Sequence, residues 1–234
     1  MKLWVLGSGS RGNAVVVESN GTRLMVDVGF GPRILQKRLA LAGIAPESIE
    51  ACIITHEHSD HIRGAARAAR RWQWPLFLTE GTYSGSRLSA LGTPAAKIAA
   101  GTTVAFTDMD VTTFRTPHDA QESIGVVITA RSSGVRAAIA TDLGHATSTV
   151  RGMLADVDMM VVESNHDEEM LANGPYPVHL QRRISGRSGH LSNSQCAGLV
   201  RDVVSSRLRK VILAHLSEEN NAPNVAFDTM RPVL

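Results

Sequence analysis

Short apolar runs, each closed by a turn or a glycine, recur along the chain. Residues 3–6 read as a first strand. Residues 14–18 and 23–27 follow as strands around Asn20-Gly21, a dipeptide that favours a tight hairpin turn. The period changes over residues 32–42. There Ile34, Leu35, Leu39 and Leu41 recur at helical spacing, Lys37 and Arg38 fall between them, and Gly43 supplies a stop. Residues 51–55 are apolar and β-branched and read as a buried strand, as do residues 75–79. Helices are predicted over the alanine- and arginine-rich residues 62–71 and over 83–91. Short strands are predicted at 97–98, 103–106 and 111–114. Residues 124–129 and 135–140 form a hairpin turning at Ser132-Ser133-Gly134, and residues 158–163 and 210–214 are further strands. The stretch 168–188 is polar and rich in Pro, Gly and Arg, and it is assigned no element. A helix over 194–208 begins after Leu191-Ser192-Asn193, which offers N-cap chemistry, and a short helix at 224–230 ends the chain. Both halves follow a strand, strand, helix plan without an internal repeat or low-complexity linker. The expectation is one domain over residues 1–234.

Composition narrows the class. Hydrophobic residues make up 43% of 234, enough for a sizeable core, and the net charge of +2 is compatible with an anionic substrate without demanding one. The two cysteines, Cys52 and Cys196, are far apart, and Cys52 sits inside a predicted strand, where a small core residue is expected rather than a disulfide partner. No apolar run approaches a membrane span, and the N-terminus lacks an export signal, so a reducing cytoplasm is expected.

The chemistry concentrates after the strand at 51–55. His56, His58, Asp60 and His61 are four ligand-type residues within six, and imidazole with carboxylate suits zinc, manganese or iron. The two imidazoles of the HxH pair can address one ion, and Asp60-His61 can turn toward a second. A bland surface role for all four is disfavoured by their clustering directly behind an apolar strand. Further ligand-type residues also follow strands: His118, Asp142 and His215. The glycine-rich turn of residues 7–13 reads either as a tight strand connection or as a backbone cradle for phosphate. Arg63, Arg67, Arg70 and Arg71 read as a solvated helix face in preference to a nucleic-acid patch.

The HxHxDH run resembles the signature of the metallo-β-lactamase fold hydrolases. That resemblance implies an α/β protein, an αββα four-layer sandwich of two mixed sheets flanked by helices. It implies two divalent ions, zinc or manganese. His56, His58 and His118 would hold the first, Asp60, His61 and His215 the second, with Asp142 between them and Asp27 behind the loop orienting a ligand. A hydroxide shared by the ions would be the nucleophile. Aspartate at 142 fits phosphodiester chemistry better than the cysteine usual in β-lactamases. The runs 8–13, 55–61, 141–145, 163–167, 189–193 and 214–221 together resemble the bacterial YycJ/WalJ family, similar to 5′-exonucleases acting on DNA, except that Arg11 replaces a usual serine. On this resemblance Asp60 and His190 act at the reaction centre. Ser10, Asn13, His166, Arg182, Arg183, His190 and Ser217 contact substrate, and Tyr176 stacks on a base. His145 is a loop residue or a substrate contact, and His179 has no assigned role. Two other readings remain: a hydrolase of a small phosphodiester, thioester or lactone, and a metal-binding regulatory module without turnover.

Overall fold

The computed structural model describes residues 1–234, the side chain of Ser89 excepted. By contacts the chain divides into two compact units. The first holds Met1–Thr113, Ala120–Ile124 and Ile128–Val135, and the second holds Phe114–Asp119, Gly125–Val127 and Arg136–Leu234.

In the first unit, β1 (Lys2–Gly7), β2 (Ala14–Ser19), β3 (Thr22–Val26), β4 (Ala51–Ile53), β5 (Leu76–Leu78) and β6 (Ala96–Lys97) lie side by side in chain order. The first three pair antiparallel, which the Asn20-Gly21 turn allows, and the rest pair parallel. Parallel neighbours need crossovers, and helices supply them. These are α1 (Pro32–Leu41) before β4, then α2 (Ser59–Ile62) and α3 (Ala65–Trp72) before β5, then α4 (Glu80–Gly85) and α5 (Arg87–Ala90) before β6. Leu35 and Leu39 of α1 are fully buried in one cluster with Met25, Cys52, Ala68 and Trp72. All three residues of β4 are buried, as expected of a parallel strand covered on both faces.

The second sheet has the order β12-β11-β10-β9-β8-β7, from β7 (Thr103–Ala105), β8 (Met109–Arg115), β9 (Ile124–Ala130), β10 (Arg136–Ala140), β11 (Met159–Glu163) and β12 (Lys210–Ala214). The last three belong to the second unit and pair parallel. The helix α6 (Ser148–Leu154) joins β10 to β11. Then α7 (Glu168–Asn173), α8 (Val178–Ile184) and α9 (Asn193–Val203) lie between β11 and β12, and α10 (Pro223–Met230) follows β12. Its core gathers Ala140, Leu143, Met160, Val162, Leu191, Cys196, Leu199 and Val200.

Several elements differ from the periodicity reading. The helix expected over 62–71 breaks at Gly64, whose N–H donates to the Val28 carbonyl at 2.8 Å. A Cβ there would fall 1.9 Å from the Phe30 carbonyl, so the chain passes too close for a side chain. The single helix at 83–91 is two short ones. The stretch 168–188 contains α7, started by the Asp167 carboxylate accepting from the N–H groups of Glu169 and Met170, and α8 behind Pro177. The helix α6 stands where no element was expected, with the Thr147 hydroxyl as its cap. The helix expected to reach 208 stops at Val203. Cys52 and Cys196 are free and buried, and Cys52 is the core residue expected of its strand.

Candidate metal centre

Three strands end in the same unusual way. Asp27 after β3, Asp142 after β10 and His215 after β12 have φ of 64°, 59° and 55°, in the left-handed region. Non-glycine residues reach it at a cost, though Asp and His tolerate it better than most. Each turn sends the following chain away and leaves its side chain at the strand's carboxyl end.

In the first unit Asp27 organises the loop behind β4. Its carboxylate is 3% exposed as a residue and accepts from the Thr55 N–H at 2.8 Å and from the Thr55 hydroxyl. It also lies 2.7 Å from His61 Nδ1. A carboxylate can only accept, so Nδ1 of His61 carries the proton and Nε2 keeps its lone pair. With the Thr55 hydroxyl proton directed at Asp27, its oxygen accepts from His56 Nδ1 at 3.0 Å. That fixes His56 in the same tautomer. Among the described residues neither lysine nor arginine reaches Asp27. Imidazoles answer its charge, which is the arrangement that orients metal-ligating histidines. The His56 ring packs 4.7 Å from His58 and 4.1 Å from His61, centroid to centroid. Asn13 holds the far side of the loop. Its N–H donates to the Asp60 carbonyl at 2.7 Å, and its side-chain amide reaches Asp60 Oδ2 at 3.0 Å and His61 Nε2 at 2.9 Å. Gly29 makes this closeness possible, because a Cβ there would stand 1.7 Å from the Asp60 carbonyl oxygen.

In the second unit Glu163 plays the part of Asp27. Closing β11, it is wholly buried and accepts the N–H groups of Asp142, Leu143 and Leu191. Its Oε1 also lies 2.8 Å from His190 Nδ1 and 3.2 Å from His215 Nδ1. Burial alone would raise its pKa. The charge of His190 and the hydrogen bonds from His190 and His215 outweigh burial and the repulsion of Asp142, holding the carboxyl down to about 2. In turn His190, which burial would push down, is raised by Glu163 and Asp142. His118 donates from Nδ1 to the Gly189 carbonyl at 3.1 Å, so its Nε2 also keeps a lone pair. Nε2 of His118 and Nε2 of His215 each lie 3.6 Å from the same oxygen of Asp142. One ligand atom from each of Asp142, Glu163, His190 and His215 falls within 4.8 Å of the others. Two buried carboxylates beside His118 and His215, whose Nε2 atoms keep lone pairs, form a donor set that suits a divalent cation.

The chain matches the family described as "Beta-lactamase superfamily domain" over residues 22–216, across both units. It is 31% identical over 233 residues to the Bacillus anthracis protein named exodeoxyribonuclease YycJ, covering 98% of this chain and 88% of that one. It is 33% identical over 234 residues to the Streptococcus pneumoniae protein named exodeoxyribonuclease WalJ, covering 98% and 86%. The chain belongs to the metallo-β-lactamase superfamily, in its YycJ/WalJ family. Among solved structures, the metallo-β-lactamase fold protein YhfI of Bacillus subtilis superposes with a TM-score of 0.75 at 14% identity, over 99% of this chain and 92% of that one. The fold expected from the sequence, two mixed sheets flanked by helices, is thereby shown.

Within this YycJ/WalJ chain the residues named from sequence fare differently. His56, Asp60 and His61, with Asp27 behind them, form one cluster, and His118, Asp142, His190 and His215 form another. Asn13 spends its side chain on Gly9, Asp60 and His61, so it braces the loop. Ser10 and Arg182 are exposed, whereas His166 is 2% exposed, with its Nδ1 unpartnered and its pKa lowered by burial. Arg183 is paired at 2.7 Å with Asp119, next to His118. Ser217 accepts from the N–H groups of Glu219 and Asn220. His145 donates to the Arg187 carbonyl at 2.8 Å and anchors the segment before His190, while His179 is exposed. Sequence reasoning missed the roles of Glu163 and Thr55. A glutamate closing the apolar run Met159–Glu163 was the available signal.

Proposed function

We propose that this protein is a metal-dependent exodeoxyribonuclease that degrades DNA from 5′ ends in the cytoplasm. Two divalent ions, zinc or manganese, would be held by His56, His58 and His118, by Asp60, His61 and His215, and by Asp142 shared between them. The observation that carries this reading is the pair of buried carboxylates, Asp27 and Glu163. Asp27 holds the Nδ1 proton of His61 and Glu163 that of His215, which leaves Nε2 as the ligand nitrogen of each. The near full-length likeness to two proteins named exodeoxyribonucleases supports DNA as the substrate.

Bound divalent ions supply Lewis acidity, making water a competent nucleophile near neutral pH and offsetting charge at the phosphate. The chain's own groups do the rest. His190, tied through Nδ1 to Glu163, holds a proton that its Nε2 can pass to the departing 3′ oxygen. The Ser217 hydroxyl, whose oxygen accepts backbone N–H groups, has its proton left for a phosphate oxygen. Ser10 and the exposed, carboxylate-free Arg182 offer further contacts to the strand. Arg183 acts first on Asp119, steadying the neighbour of His118, and the buried His166 bridges to Ser192.

The test strips the protein with chelator and restores zinc or manganese separately. Each form is given 5′- and 3′-labelled single- and double-stranded DNA, with a chromogenic phosphodiester as control. Labelled mononucleotide should appear early from the 5′ label only, and Asp60→Ala and His61→Ala should each abolish it while the protein stays folded. Turnover of the dye with no loss of DNA ends would replace the nuclease reading with a small-phosphodiester hydrolase.

A further inference from the structure

Away from the histidines the first unit carries a cleft of about 770 Å³. Its lining includes Arg63, Arg67 and Arg70 from α3 and the turn before it, and Arg87, Leu88 and Leu91 from α5 and just after it. Glu57 and Ser59, residues of the HxHxDH loop itself, also line it. The cleft shares Ala66 and Arg70 with a second hollow of about 400 Å³ lined by Trp74, Thr93 and Pro94. The result is a trough running from the loop along α3.

The charges in this trough are not neutralised among the described residues. Among the described residues no carboxylate pairs with Arg63, Arg67, Arg70 or Arg87. Arg63 donates, among the described residues, to the carbonyl oxygens of Arg11 and Gly29. The four guanidinium groups outnumber the single Glu57, which accepts the Gln121 N–H at 2.7 Å. Arg71, by contrast, lies over Trp72 and bonds Gln36, so it alone fits the solvated face expected from sequence. The trough is also apolar in part. Leu91 is 57% exposed at its rim, where an exposed leucine is otherwise uncompensated. In the second hollow the Thr93 hydroxyl is buried with no hydrogen-bond partner among the described residues. Unpaired cations spaced over about two helical turns, an apolar rim and an unsatisfied hydroxyl match a chain that alternates phosphates with flat, hydrogen-bonding bases.

We infer that this trough binds the backbone of a single DNA strand and leads it to the HxHxDH loop, with phosphates on Arg67, Arg70 and Arg87 and a base in the hollow beside Thr93. The inference rests on the nuclease reading and adds to it a strand path that the histidine clusters do not specify. Arg63 is a positioning residue here, because its donors are spent on the backbone that carries Gly29.

The test measures binding of metal-stripped protein to a labelled single-stranded deoxythymidine oligonucleotide across a salt series, so that no cleavage intervenes. Digestion of 5′-labelled DNA by the metal-loaded protein is followed separately. The triple variant Arg67→Gln, Arg70→Gln, Arg87→Gln should lower the slope of log affinity against log salt by about 2, at roughly 0.7 per lost phosphate contact. The triple variant Arg201→Gln, Arg209→Gln, Arg231→Gln removes the same charge from the other unit and should keep the wild-type slope. Replacing the three trough arginines by lysine should restore most of the slope, which a merely structural role would not do. All six positions are exposed, so melting curves should superpose with wild type. If the trough variant and the wild type share one slope while 5′ ends are digested, the trough is overturned and the nuclease reading stands. If the wild type shows no salt-dependent DNA binding, the trough is overturned, and the digestion assay decides the nuclease reading on its own.

Discussion

The two carboxylates that matter most to the histidines are not the ones that a ligand motif advertises. Asp60 and Asp142 stand in runs that draw the eye, but Asp27 and Glu163 set the imidazole tautomers from beneath. The ligand candidates were legible because four of them fall in six residues and the rest follow apolar strands. Asp27 entered only through resemblance. Glu163 was passed over because a single charged residue closing a strand has no periodicity to betray it. Its function appears once β10, β11 and β12 lie parallel and their ends come together. Asp27→Asn tests the ranking. The amide keeps the size, but its NH₂ cannot accept from His61 Nδ1 as a carboxylate oxygen does. Metal affinity, measured by chelator competition, should fall by about 10- to 100-fold while the melting curve stays cooperative. Unchanged affinity would mean that Asp27 serves the fold alone.

Among the elements, strands were read better than helices. Short runs bounded by glycine or polar turns gave all twelve strands, β1 to β12, to within a residue or two. The helices over 62–71 and 83–91 were each read as one where two exist, and α6, α7 and α8 were not read at all. The reason is visible at Gly64 and at Asp167. Tertiary contact breaks one helix and a side-chain cap starts another, and neither leaves an apolar stripe. The same kind of contact sets the loop behind β4, where Gly29 admits the Asp60 carbonyl and the Asn13 N–H together. Gly29→Ala would place Cβ 1.7 Å from one backbone oxygen and 2.5 Å from one backbone nitrogen, and neither is a flexible side-chain end. Equilibrium urea unfolding should show a loss of at least about 3 kcal/mol, the upper range of overpacking. A loss under about 1 kcal/mol would show that the loop can retreat and that its position is not set here.

For the molecule as a whole, family and fold were legible because motifs spread from residue 8 to residue 221 leave few alternatives, whereas the trough on the first unit was not. Helical spacing of arginines is the same for a solvated face and for a binding face, and only the placement of α5 opposite them separates the two. The buried carboxylates make a prediction at this scale too. Asp27, Asp142 and Glu163 are each 3% exposed or less, and burying that much negative charge is costly unless cations answer it. Imidazole N–H groups, as at His190 and His61, answer it in part, and a divalent ion that binds the folded state but not the unfolded one answers it further. By mass action an ion present at 100 times its dissociation constant adds about 2.7 kcal/mol to the folded state. For a chain of this size that is a shift of about 5–10 °C in Tm. Chelation should therefore lower Tm by that amount, and zinc or manganese added back in excess should restore it. The Asp60→Ala and His61→Ala variants should respond less than wild type. A Tm indifferent to chelator in the wild type would mean that these carboxylates are accommodated by imidazole alone, and the donor set would then lose its reading as a metal centre.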